Sequence, residues 1–107
     1  MKRYGMVIKI KDDKLEEYKK LHSEIWPEVV SIIQKYNINN FTIFNKDKFL
    51  FGYFEYYGDS IKDDLEKMAL DRVYSRWLKI TKKMQVPLKT RASGEWWTFM
   101  EEVFHLD

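Results

Sequence analysis

Residues 4–10 alternate, with Tyr4, Met6, Ile8 and Ile10 on one side, which predicts a strand. Asp12 and Asp13 follow as cap candidates, and Asp13 with Glu16 three residues on predicts a capping box. Leu15, Tyr18, His22, Ile25, Val29, Ile32 and Tyr36 then recur at spacings of three and four, one helical stripe with most of the charge lying off it. Pro27 lacks an N–H and collides with the carbonyl four residues back, so the helix is expected to kink there or to restart with Pro27 in its first turn. Asn39 and Asn40 read as the end of the helical region, 41–44 as a strand, 45–48 as a polar turn and 49–57 as the second arm of a hairpin. That arm is apolar on both faces: Phe49, Phe51 and Tyr53 on one, Leu50, Phe54 and Tyr56 on the other. A single helical layer covers only one face of a sheet, so the other calls for a second copy of the chain, and a homodimer is predicted. Ser60, with Asp63 three residues on, caps a region whose stripe is Ile61, Leu65, Met68 and Ala69. Asp71 starts a further helix carrying Tyr74, Trp77, Leu78 and Lys82. Residues 82–95 read as loop and 96–106 as a last strand. The order β-α-β-β-α-β is an α+β, ferredoxin-like unit, an antiparallel sheet with helices on one face. Two such units joined through their open sheet faces make a dimeric α+β barrel.

Composition narrows this picture. At 107 residues the chain is expected to form one domain, 1–107. Aromatics make up 17%, enough to fill a core, an interface or a pocket wall. A net charge of +2 gives no nucleic-acid footprint. No apolar run approaches the ~20 residues of a membrane span. The N-terminus has no signal-peptide pattern, and there is no cysteine to form a disulfide or a thiolate metal site. A cytoplasmic protein is the expectation.

Chemistry points first to His22. An imidazole titrates near neutral pH and both gives and takes protons. Tyr18, one turn earlier, shares its face. A hydrogen-bonded core histidine beside a core tyrosine is the plainer reading from position alone. The second histidine, His105, stands at no metal-ligand spacing from it, so no metal is expected. Trp77, Trp96 and Trp97 suit either a core or the C–H face of a sugar. Glu101 and Glu102 point to opposite faces of the last strand, and the inward one needs a partner such as Arg3, Lys9 or Arg76. The basic stretch 79–91 reads as solvated surface, because no glycine-rich phosphate cradle accompanies it. The residues lead as far as a cofactor-free pocket with a histidine acid/base.

Four segments carry a resemblance. Residues 22–28 (His-Ser-Glu-Ile-Trp-Pro-Glu), 40–44 (Asn-Phe-Thr-Ile-Phe), the Arg76-Trp77 pair and the ending 100–107 (Met-Glu-Glu-Val-Phe-His-Leu-Asp) resemble, in order and in register, the L-rhamnose mutarotase family. The resemblance implies the dimeric α+β barrel and interconversion of the α and β anomers of a free aldose, with no cofactor because no redox step occurs. It implies His22 as proton donor and Tyr18 and Trp77 as substrate contacts; Trp26, Trp97 and Glu102 are added as candidate substrate-binding residues. Phe41 stands where the family has a substrate-contacting Tyr, and Leu78 where it has a second Trp. L-rhamnose is the first choice of substrate, with L-fucose or another aldose as alternatives. Two other readings stay open: a cofactor-free monooxygenase or haem-degrading protein on the same barrel architecture, and a non-catalytic sugar-binding dimer.

Overall fold

The computed structural model describes all 107 residues. Along the chain lie β1 (Lys2–Ile10), a 3-10 turn (Asp12–Lys14), α1 (Leu15–Ser23), α2 (Pro27–Lys35), β2 (Ile38–Lys46), β3 (Phe49–Tyr56), α3 (Ile61–Leu70), α4 (Arg72–Met84), β4 (Gln85–Val86) and β5 (Thr98–Met100). The strands form one antiparallel sheet in the order β2-β3-β1-β4, with β5 also paired to β1. This is the α+β arrangement expected from the hydrophobic pattern.

The alternation decides which face is which. Met6, Ile8 and Ile10 of β1 and Leu50, Phe54 and Tyr56 of β3 are buried with Tyr18, Met68 and Met84 from the helices. The opposite face carries the row Phe44–Phe51–Val7–Thr98, set side by side by the strand register. Phe44 is 64% exposed and Phe51 36%. The two-faced character read in residues 49–57 is therefore present, and one apolar face lies open.

Local chemistry sets the element ends. Pro27 takes the first position of α2 and Trp26 its cap, in extended backbone, so the helix restarts rather than kinks. Ser60 Oγ accepts from the Asp63 N–H at the start of α3. Asp71 Oδ1 accepts from the N–H groups of Val73 and Tyr74 at 3.0 and 2.9 Å, starting α4.

Several expectations need correction. Asp13 and Glu16 form no capping box: Asp13 lies inside the 3-10 turn, and α1 begins at Leu15 with no side-chain cap. The helical region ends earlier than Asn39, at Lys35. Asn37, at φ 71°, takes the left-handed position that ends it, and Asn39 and Asn40 belong to β2. Residues 82–95 are not all loop. α4 runs to Met84, and Gln85 and Val86 pair with β1. The last strand covers only Thr98–Met100, because its ladder stops where Met100 faces Gly5. Beyond it, the Arg3–Glu102 side-chain contact at 3.2 Å is what still ties the tail to β1. His105 is therefore not on a strand; its Nε2 lies 2.7 Å from Asp107 Oδ1 within the tail.

Asp71→Ala is expected to cost about 0.5–2 kcal/mol in urea unfolding, since two N–H groups at the start of α4 lose their acceptor. No measurable loss would show that packing alone sets where α4 begins.

Candidate active site

Between the sheet's covered face and the helices lies a cavity of about 810 Å³. From α1 come Tyr18 and His22, one turn apart on the same face. Their rings lie against each other, centroids 4.1 Å apart and tilted by 33°. His22 Nδ1 sits 2.8 Å from the Tyr18 carbonyl oxygen. A carbonyl only accepts, so Nδ1 carries the hydrogen and the neutral ring's lone pair resides on Nε2. Burial lowers the His22 pKa from its ordinary value, and the bond to the Tyr18 carbonyl pulls weakly the other way. At neutral pH the ring is an uncharged base.

Helix α4 supplies the opposite wall. Trp77 meets His22 edge-on at 5.2 Å. Tyr74, Leu78, Thr81 and Gln85 line the cavity beside it. Burial pushes the phenols of Tyr18 and Tyr74 up to about 12, so both stay protonated. Strand β2 contributes Phe41 by an irregularity. The β2–β3 register shifts between Asn39 and Thr42, and Asn40 adopts φ 50°. The bulge aims Phe41 onto Phe54, 5.8 Å between rings. Beneath Trp97, a Cβ at Gly52 would lie 2.8 Å from Met6 Cε, so the bare backbone makes room for the Met6 side chain, while Trp97 at 3.5 Å would be in ordinary contact.

Of the candidate residues, the cavity brings together His22, Tyr18, Phe41, Trp77, Leu78 and Trp97. It does not include Trp26 or Glu102. Trp26 caps α2 and packs edge-on against Trp77 at 5.3 Å, with the Arg76 guanidinium over its ring. Glu102 lies beyond the end of β5, where its Oε1 accepts from Arg3 Nε. No three His, Cys, Asp or Glu side chains are grouped to hold a metal ion. Gln85 and Thr81 went unrecognised in the sequence. The signal was the continuing period Tyr74, Leu78, Thr81, Gln85, at spacings of four, three and four, hidden among the lysines of α4.

The sequence profile of the L-rhamnose mutarotase family matches residues 3–106. The L-rhamnose mutarotase of Oceanobacillus iheyensis is 37% identical, and that of Bacillus subtilis 33%, each over the whole of both chains. The solved structure of an L-rhamnose mutarotase from Formosa agariphila covers all of both chains with a TM-score of 0.79 at 18% identity. Tetracenomycin F2 cyclase from Streptomyces glaucescens covers 100% of this chain and 98% of its own, with a TM-score of 0.76 at 11% identity. At those identities the two structural likenesses speak to the fold alone.

Because the folded His22 pKa lies below its ordinary value, the neutral ring is the form that folding favours. Its contribution to stability is complete above about pH 6.5 and is lost as pH falls from there through the folded value. The His22 Cε1–H resonance is expected to titrate below pH 6.5, and His22→Gln to remove that share of the acid destabilisation. A midpoint at or above 6.5 would show that burial does not dominate at this ring.

Proposed function

The chain belongs to the L-rhamnose mutarotase family, and we propose that it is an isomerase that interconverts the α and β anomers of L-rhamnose, with His22 moving the protons. The observation that carries this reading is the imidazole held in one tautomer in the cavity wall, uncharged at neutral pH, between a phenol and an indole.

Ring opening must take the proton from the anomeric hydroxyl and place one on the ring oxygen. These two oxygens share one carbon, so a single base at Nε2 reaches both. His22 accepts the anomeric proton, and the electrons of that O–H bond become the second bond of the aldehyde C=O. The bond between the anomeric carbon and the ring oxygen breaks, its electrons stay on the ring oxygen, and the imidazolium returns the proton there. Rotation about the neighbouring C–C bond exposes the other face of the aldehyde, and closure runs the same steps backwards. A placed acid/base of this kind contributes roughly 10²–10⁴-fold. A cavity of about 810 Å³ lies within the usual range for small-molecule sites. Trp77 and Trp97 offer apolar surface to the sugar's C–H faces, and Tyr18 a hydroxyl. Phe41 and Leu78 bring neither a hydroxyl nor an N–H, which suits the methyl of a 6-deoxy sugar better than a hydroxymethyl group.

The reading includes a homodimer. The open face presents Phe44, Phe49, Phe51, Val86 and Met100, and the tail beyond β5 adds the exposed Val103, Phe104 and Leu106. Thr98 Oγ1 lies buried on this same face without a partner. Two such faces stacked in a barrel would cover Phe44 and Phe51 on both copies.

Saturation-transfer NMR on the anomeric signals of L-rhamnose, with L-fucose alongside, tests the activity. Rapid exchange is expected for L-rhamnose, falling roughly 10²–10⁴-fold in His22→Ala. Full exchange in that variant would remove His22 from the reaction, and no exchange of either sugar by the unaltered protein would sink the mutarotase reading. Sedimentation at micromolar concentration is expected to show a dimer, and Phe44→Asp with Phe51→Asp a monomer. A monomeric unaltered protein would overturn the barrel.

A further inference from the structure

Gln85 is 5% exposed and stands where α4 passes into β4. Its side-chain amide is bonded at both ends. The Trp96 indole N–H donates to Oε1 at 2.8 Å, and Nε2 donates to the Tyr18 hydroxyl oxygen at 3.1 Å. The direction of this chain is not free. An indole nitrogen can only donate, so Oε1 must face Trp96 and the NH2 must face Tyr18. Turning the amide over would set N–H against N–H. The Tyr18 oxygen is thereby an acceptor toward Gln85, and its own proton must go elsewhere. The phenol lines the cavity beside His22, and no protein group accepts from it. Trp96 is itself held, with the Lys82 ammonium 5.4 Å from its ring centroid.

We propose that Gln85, locked by Trp96, is a positioning residue that makes Tyr18 a hydrogen-bond donor toward the substrate. The inference rests on the mutarotase reading and deepens it. His22 enters the reaction as an acceptor at Nε2, so the cavity holds one acceptor and one donor side by side. A hemiacetal asks for that pair: the anomeric hydroxyl gives up a proton, while charge builds on the ring oxygen as its bond to carbon breaks. A Tyr18 donor aimed at the ring oxygen stabilises that charge while His22 moves the proton. The polarity of the site is set by a residue whose own amide is engaged at both ends, by Trp96 and by Tyr18.

Gln85→Glu keeps the shape and reverses the polarity. A carboxylate accepts from both Trp96 and Tyr18, which turns the phenol proton away from the sugar. The kcat for anomer exchange is expected to fall roughly 100-fold, as when a donor to a developing oxyanion is removed. Tyr18→Phe is expected to fall as far, and the double variant no further. Trp96→Phe frees the amide to turn over, so a several-fold loss in kcat is expected, absent in the Tyr18→Phe background. This pair serves where Gln85→Glu fails to fold. Losses that multiply in the Tyr18→Phe background, or an unchanged kcat in Gln85→Glu, would reduce Gln85 to a packing residue.

A second readout needs no activity. The Trp96 indole proton is expected to be protected from solvent exchange and to lose protection in Gln85→Met. An unprotected proton in the unaltered protein would overturn the chain of hydrogen bonds whatever the reaction proves to be. Conversely, a protected proton in a protein that exchanges no aldose anomers would sink the mutarotase reading, and with it the role given to Gln85, while leaving the hydrogen-bond chain in place.

Discussion

The 2.8 Å hydrogen bond from His22 Nδ1 to the Tyr18 carbonyl connects the helix to the chemistry. It is made within one turn of α1, between residues four apart. The same helical geometry that stacks the two rings therefore also chooses the imidazole tautomer. Without that bond the ring would rotate and exchange tautomers, and Nε2 would have no settled role. With it, burial can lower the pKa without making the group inert, because the form that burial favours is the one with its lone pair on Nε2.

The sheet supports this turn by what it omits as well as by what it packs. β1 binds neighbours on both edges and carries Ile8 and Ile10 into the cluster with Tyr18. β3 alternates Leu50, Gly52, Phe54 and Tyr56 on the covered face, and the missing side chain at Gly52 gives Met6 its space. The β2 bulge then brings Phe41 to the rim. A departure from strand regularity, the bulge at Asn40, thus shapes one wall of the cavity.

Strand and helix periods were readable where apolar residues mark them, and the two apolar faces of β3 were plain in residues 49–57. Tyr18 and His22 stood out because a titratable ring on an apolar stripe breaks its pattern. What escaped reading was polar and tertiary. Gln85 follows a run of lysines, and a buried glutamine looks like surface until its partners are known. Those partners are Tyr18, 67 residues earlier, and Trp96, 11 residues later. Asp13 and Glu16 had the spacing of a capping box, but a 3-10 turn moved the helix start beyond Asp13. Glu102 was placed on a strand whose ladder stops at Met100, so facing rules for strands did not apply to it.

Tyr18 and His22 share a turn, a cavity and a low-dielectric setting, yet burial moves their pKa values apart, the phenol up to about 12 and the imidazole down. Desolvation always favours the uncharged form, so it leaves the acid protonated and the base unprotonated at the same neutral pH. A pair made in this way needs no neighbouring charge. That explains how a cavity walled largely by aromatic and aliphatic side chains can hold both a proton acceptor and a proton donor. It also explains why neutral amide and indole groups, rather than carboxylates, suffice to set the direction of the phenol. A carboxylate at position 85 would draw the phenol proton to itself, undoing with one oxygen the free donor that the amide leaves on Tyr18.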